Sequence, residues 1–193
     1  MKFYAIVAIA SMLFIGTASA QHVNFGIKAG LNLYNIHSDN SSAYDTKAGL
    51  HVGLLGHIHL NKQWAVQPEL LFSGQGAKYT VNETSTKLNL GYINVPVMLQ
   101  YMFDNGFRIE AGPQLGFLVS AKAKANGNST DVKDNIKTVD FALGFGIGYI
   151  HQPSGFGVDA RYNLGLSNIN KNSSVKSTNR GFQLGVFYQF KHT

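Results

Sequence analysis

Residues 23–36 read Val-Asn-Phe-Gly-Ile-Lys-Ala-Gly-Leu-Asn-Leu-Tyr-Asn-Ile, and from Val23 to Leu33 every second position is apolar. On an extended chain successive side chains point to opposite faces. Phe25, Ile27, Ala29, Leu31 and Leu33 therefore share one face, and Asn24, Gly26, Lys28, Gly30 and Asn32 share the other. The segment is a strand with two unlike faces.

The same alternation recurs along the chain. It runs through Leu50, Val52, Leu54, Ile58 and Leu60, through Trp64, Val66, Leu70 and Phe72, and through Ile93, Val95, Val97, Leu99, Tyr101 and Phe103. It continues through Phe107, Ile109, Leu115, Phe117 and Val119, and through Phe141, Leu143, Phe145, Ile147 and Tyr149. Two further stripes are Phe156, Val158, Tyr162, Leu164 and Leu166, and Phe182, Leu184, Val186, Tyr188 and Phe190. Helical spacing never persists. The count is about eight strands, each long enough for the roughly 9 to 11 residues that a tilted membrane strand requires.

The links alternate in length. Short ones fall at Asn61-Lys62, Asp104-Asn105-Gly106 and Gln152-Pro153-Ser154-Gly155, all turn-forming types. Long polar ones, rich in Ser, Asn, Thr and Lys, are expected at about residues 36–46, 74–90, 121–137 and 168–179. Short turns at one end and long loops at the other are the layout of an up-and-down antiparallel barrel in an outer membrane.

Alternation alone fits a soluble barrel equally well, so the second face decides. It carries Gly26, Gly30, Gly49, Gly53, Gly112, Gly116, Gly144, Gly146, Gly148, Gly165 and Gly185, mixed with Gln67, Glu69, Arg108, Glu110, Gln114, Asp159, Arg161 and Gln189. Glycine weakens a water-facing strand. It suits a narrow interior where long polar side chains interleave with small neighbours. The polar face is thus expected inside and the apolar face against lipid. Phe25, Tyr34, Trp64, Tyr101, Phe103, Phe107, Tyr149, Phe156 and Phe190 are expected in interfacial girdles. Pro68, Pro96 and Pro113 lie within proposed strands, and since proline donates no ladder hydrogen bond, bulges or strand ends are expected there.

The N-terminus carries a second signal. Lys2 precedes a mostly apolar run from Phe3 to Ile15, which closes on Ala18-Ser19-Ala20, the small-x-small pattern of a cleaved secretory signal. Residues 1–20 are read as that signal and residues 21–193 as one barrel domain. There is no cysteine, hence no disulfide, thiolate site or lipid-attachment cysteine. The formal charge of +6, or +5 without Lys2, is scattered rather than clustered, which argues against nucleic acid. Charged residues make up 13% of the chain against a usual value of about 25%, too few to clothe a soluble domain of this apolar content.

The stretches 23–36, 67–78 (QPELLFSGQGAK), 91–103 (GYINVPVMLQYMF) and 109–121 (IEAGPQLGFLVSA) resemble the outer-membrane β-barrel family labelled porin-family or PorT-like. Pro68-Glu69-Leu70, Val95-Pro96-Val97 and Ala111-Gly112-Pro113-Gln114-Leu115-Gly116 carry the likeness most specifically. One departure is that Phe190 is followed by Lys191-His192-Thr193 rather than ending the chain. The resemblance implies an eight-stranded barrel of the OmpX size class, located in the bacterial outer membrane. It implies no single activity.

Three groups of residues bear on chemistry. His51, His57 and His59 on the inward face of the second strand, facing Glu69 on the third, form a conceivable zinc-ligand set, but they lack a fourth ligand and read more simply as polar lumen fillers. One of these histidines with Ser73 and Glu69 would be a lipid-hydrolase triad, yet no G-x-S-x-G motif is present. Glu69, Arg108, Glu110, Asp140, Asp159 and Arg161 share the inward phase and are expected to form a charge network that plugs the lumen, since about eight strands enclose just enough room for side chains. Asn-x-Ser/Thr triplets at Asn40, Asn82, Asn128 and Asn172 are by-products of Asn/Ser-rich loops. The reading is a non-enzymatic barrel without cofactor or metal. Its partners are outer-membrane lipid and surface or periplasmic proteins. A narrow pore, a lipid-modifying enzyme and a soluble ligand-binding barrel are the rivals.

Overall fold

The computed structural model describes residues 23–39, 44–81, 84–172 and 176–190, so residues 1–20 of the expected signal, Asn40, Asn82 and the Lys191–Thr193 tail lie outside the described residues. Nine strands follow in order: β1 (Val23–Ser38), β2 (Tyr44–His59), β3 (Trp64–Val81), β4 (Thr84–Met102), β5 (Phe107–Ala125), β6 (Asn128–Asp131), β7 (Val139–His151), β8 (Phe156–Gly165) and β9 (Ser177–Gln189). Eight of them close a ring in which each strand pairs antiparallel with the next and β9 returns to β1. β6 is a four-residue appendage on the end of β5.

The short links are tight turns made by the expected residues. Asn61 Oδ1 accepts the backbone N–H groups of Gln63 and Trp64, and Asn105 Oδ1 accepts that of Phe107. Gly106 and Gly155 take φ of +89° and +80°, where a side chain would be strained. Both described chain ends, Val23 and Phe190, lie at this short-turn end, beside each other.

Over the lower part of the ring the apolar stripes face outward. Leu50, Leu54, Phe156 and Val186 are 65%, 58%, 62% and 59% exposed, as lipid-facing residues must be in an isolated chain. Aromatic rings gather at the short-turn rim: Trp64 against Tyr101, Tyr101 against Phe103, Phe107 against Tyr149 and Phe156 against Tyr188. Tyr34 departs from the girdle expectation. It occupies an inward position on β1, is 1% exposed, and lies over Gly181.

Toward the loop end the two faces exchange character. On β4 the outward residues Ile93, Val95, Val97 and Leu99 are apolar, whereas farther up Leu88, Leu90 and Tyr92 are the inward ones and Lys87 and Asn89 point out. On β5 a register shift opposite Gly91 and Tyr92 inserts one extra residue, after which Ala121 and Ala123 face in and Lys122 and Lys124 face out. Above this boundary the wall is polar outside and apolar within. Ile36, Ala77, Leu90, Tyr92, Leu118, Ala121, Ile136 and Ile169 form its core, with Tyr44, Leu88 and Val132 packed against it.

That exchange corrects the expected loops. Residues 74–90 are not a polar link but the extended arms of β3 and β4, paired continuously from Leu71↔Asn94 to Val81↔Thr84. Within 121–137, β5 continues to Ala125, β6 folds back on it, and a single 3-10 turn spans Lys133–Asn135. The polar outward residues of these arms mimic a loop composition.

The prolines also differ from expectation, since no register shift occurs at them. Pro68 stays in register with Val97, Pro96 with Gln114 and Pro113 with Leu143, each on the following strand. The pairing lapses instead toward the preceding strand, between Leu55↔Glu69 and Ile58↔Val66, between Pro68↔Val97 and Leu71↔Asn94, and between Pro96↔Gln114 and Leu99↔Ala111. Each missing N–H therefore points at one neighbour only, and the three form a staircase across β3, β4 and β5.

Candidate functional site

The lumen is filled in layers, and its long polar side chains arise from inward positions of different strands. Room for them comes from glycine: a Cβ on Gly146 would lie 2.8 Å from Glu110 Oε1, and one on Gly185 would lie 2.9 Å from the Asp159 carboxylate and 3.0 Å from Lys28 Cε. Small positions on β7 and β9 thus set where the large ones on β1, β5 and β8 fit.

The lower layer is ionic. Arg161, 1% exposed, donates two parallel hydrogen bonds to Glu69, Nη1 to Oε2 at 3.0 Å and Nη2 to Oε1 at 2.8 Å, and a third from Nε to Glu110 Oε1 at 2.8 Å. The planar guanidinium fork matches a carboxylate in this way and lysine cannot. Gln67 Nε2 donates to Glu69 Oε1 at 2.8 Å, and Gln100 Nε2 donates to Glu110 Oε2 at 2.7 Å. Lys28 Nζ lies 2.9 Å from Asp159 Oδ2 and 3.6 Å from Glu69 Oε1.

Not all six candidates sit in this cluster. Arg108 has no carboxylate within 4.0 Å among the described residues; its Nη1 donates to Gln100 Oε1 at 3.2 Å and its guanidinium carbon lies 5.0 Å from the centre of the Phe187 ring. Asp140 stands apart from it, nearer the loop end, where it accepts from Ser167 Oγ and from Asn179 Nδ2. Lys28 was missed by the sequence reading although its phase with Gly26, Gly30 and Asn32 on β1 marks it as inward. Its acidic partners lie on β3 and β8, too remote in sequence for pairing to be visible.

The middle layer is neutral. Asn32 is its hub: Nδ2 donates to Ser73 Oγ at 3.0 Å and to the carbonyls of Leu50 and Gly74, while Oδ1 accepts from Gln183 Nε2 at 3.1 Å and meets His51 Nδ1 at 2.8 Å. Asn163 Nδ2 bridges Gln183 Oε1 and the Tyr34 hydroxyl, each at 2.9 Å. The side chains considered for metal binding and for a triad are engaged in the same layers. Ser73 Oγ is bonded to Asn32 and Gln75, His57 Nδ1 meets Gln67 Oε1 at 3.3 Å, and both Glu69 oxygens are held by Arg161. Among the described residues no three His, Cys, Asp or Glu side chains converge in a metal-holding group.

Above lies the apolar cap already described. At the opposite, short-turn end a pocket of about 390 Å³ opens beside His57, His59, Arg108 and Gln189.

The sequence profile of the family described as "outer membrane protein beta-barrel domain" matches residues 19–171. No curated protein matches the chain. Among solved structures it is similar to Neisserial surface protein A, with a TM-score of 0.60, 15% identity, and coverage of 88% of this chain and 99% of that one. It is also similar to Ail, the attachment invasion locus protein of Yersinia pestis, with a TM-score of 0.51, 16% identity, and coverage of 86% and 98% respectively. At these identities the likeness is one of fold.

Proposed function

The chain belongs to the outer membrane protein beta-barrel domain family, and on that premise we propose that it is a non-conducting, non-enzymatic barrel of the bacterial outer membrane that works through the structure it raises above the membrane. The observation that carries this reading is the filled lumen. An ionic layer, a neutral amide layer and an apolar cap follow one another along the axis, and the cap is the least hospitable of the three to a hydrated solute.

The second support is length. β3, β4 and β5 have 18, 19 and 19 residues, well beyond the roughly 9 to 11 that span a bilayer, so their loop-end arms stand in water. Their partners in this reading are surface macromolecules met by the arms. Residues 1–20 serve as the export signal that brings the chain across the inner membrane.

Two measurements on the folded protein test it. In a planar bilayer it is expected to give no steady conductance steps; steps from the wild-type protein would replace this reading with that of a narrow pore. In intact cells Asn126→Cys is expected to react with a membrane-impermeant maleimide and Asn105→Cys is not. Reaction at Asn105 alone would invert the orientation and remove the arms from the cell surface.

A further inference from the structure

The outward wall above the apolar band carries an arrangement that strand pairing normally avoids. Lys78 on β3 lies directly opposite Lys87 on β4, and Lys87 lies directly opposite Lys124 on β5. Side chains directly opposite in an antiparallel pair have Cβ atoms about 4.5 to 5.5 Å apart, and like charges there are destabilising. Lys87 is exposed and flanked on both sides. None of the three makes an ion pair within 4.0 Å among the described residues.

Two more lysines extend the row toward the membrane. Lys122 faces outward two residues below Lys124, and Lys133 Nζ donates to the carbonyl of Val119 at 3.0 Å, beside the register shift. The carboxylates in reach are fewer: Asp45 is in register with Lys78 and Asp131 with Lys122, both without ion-pair contact, and Asp134 adjoins Lys133. The wall therefore carries uncompensated positive charge on one side of the barrel.

Its height identifies the partner. On the same outward face the last apolar residues are Phe72, Ile93 and Val119; Lys122 lies three residues above Val119, and Lys124, Lys78 and Lys87 lie five or six above Val119, Phe72 and Ile93. A lysine stem can lie along apolar surface while its ammonium reaches the polar boundary. That boundary is where outer-leaflet headgroups lie. We propose that Lys78, Lys87 and Lys124, extended by Lys122 and Lys133, form a binding site for the phosphate groups of outer-leaflet glycolipid. The bound anion offsets the repulsion built into the ladder, and the site is independent of whether the lumen conducts.

The proposal predicts a reversal of sign. The full-length protein is folded into phosphatidylcholine vesicles, with and without phosphorylated lipid A as minor component, and its melting is followed by heat-modifiable gel mobility. In phosphatidylcholine alone Lys87→Gln is expected to melt about 1 to 4 °C above the wild type, because a like-charge pair on each side is relieved. Lipid A is expected to raise the wild-type midpoint by a similar amount and to leave Lys87→Gln unmoved. Lys62→Gln, a control at the short-turn end, should respond to lipid A as the wild type does. If Lys87→Gln is no more stable than wild type in phosphatidylcholine, or keeps the full lipid A response, the ladder is not the site. If soluble polyphosphate matches the effect of lipid A, the ligand is a soluble polyanion and the lipid assignment is overturned.

Discussion

Replacing Arg161 by methionine removes the cation that holds two carboxylates at once. Arg161 makes three charge-assisted hydrogen bonds, two to Glu69 and one to Glu110, and is 1% exposed. At about 1.5 to 3 kcal/mol each these would total roughly 4 to 9 kcal/mol. The arginine's own desolvation, recovered in the variant, reduces that sum. Breaking a buried pair typically costs about 3 to 5 kcal/mol, because the stranded charge stays buried. Lys28, at 3.6 Å from Glu69, and Gln67 and Gln100 remain to soften the loss, so the expectation lies at the lower end of that range. Urea unfolding from lipid vesicles reads the change. Glu69→Gln should cost a comparable amount, whereas Arg161→Met with Glu69→Gln should cost clearly less than the sum, since removing both partners strands less charge. Additive losses would show that the short contacts are not energetically coupled and would refute the ionic layer as a structural plug.

Two further substitutions separate the faces. Leu99→Arg, at an outward position 45% exposed, should destabilise the membrane-folded barrel by about 2 to 4 kcal/mol if it lies near the bilayer midplane; an unchanged urea midpoint would contradict the lipid-facing assignment. Tyr34→Phe removes the hydroxyl that accepts from Asn163 and should cost about 0.5 to 1.5 kcal/mol by the same assay, while a girdle tyrosine at a lipid surface would predict a shift in membrane-interface affinity and none in the lumen.

Much of the ring was legible because period-two alternation is a direct image of a wall between two media. From Val23 to Leu33 and from Ile93 to Phe103 each residue type reports its side. For Tyr34 nearness to a strand end suggests a girdle position, but its phase puts it inward with Lys28 and Asn32, and the phase prevails. The arms at 74–90 read as a loop because the alternation there inverts: Leu88 and Leu90 share the even phase with Tyr92, whereas the stripe from Ile93 onward is odd. That inversion, read as a change of solvent, marks the upper edge of the membrane in the sequence itself. The ionic layer was partly legible by phase. Its pairing was not, because contacts such as Arg161 with Glu69 cross the lumen between strands that are not neighbours.

The exchange of faces also bears on how the barrel reaches its final position. In the proposed orientation the arms of β3, β4 and β5 pass the hydrocarbon layer before they stand in water, carrying Lys78, Lys87, Lys122 and Lys124 with them. Insertion scales put a lysine at the centre of a bilayer at about 2.5 to 3.5 kcal/mol, so four in transit together oppose spontaneous passage by on the order of 10 kcal/mol. The same obstacle faces a barrel that has already arrived. Withdrawal would drag the lysines back through hydrocarbon and expose the apolar cap, so the outer half acts as a one-way catch, and insertion calls for a locally thinned membrane or an assembly machine that lowers the barrier in one direction.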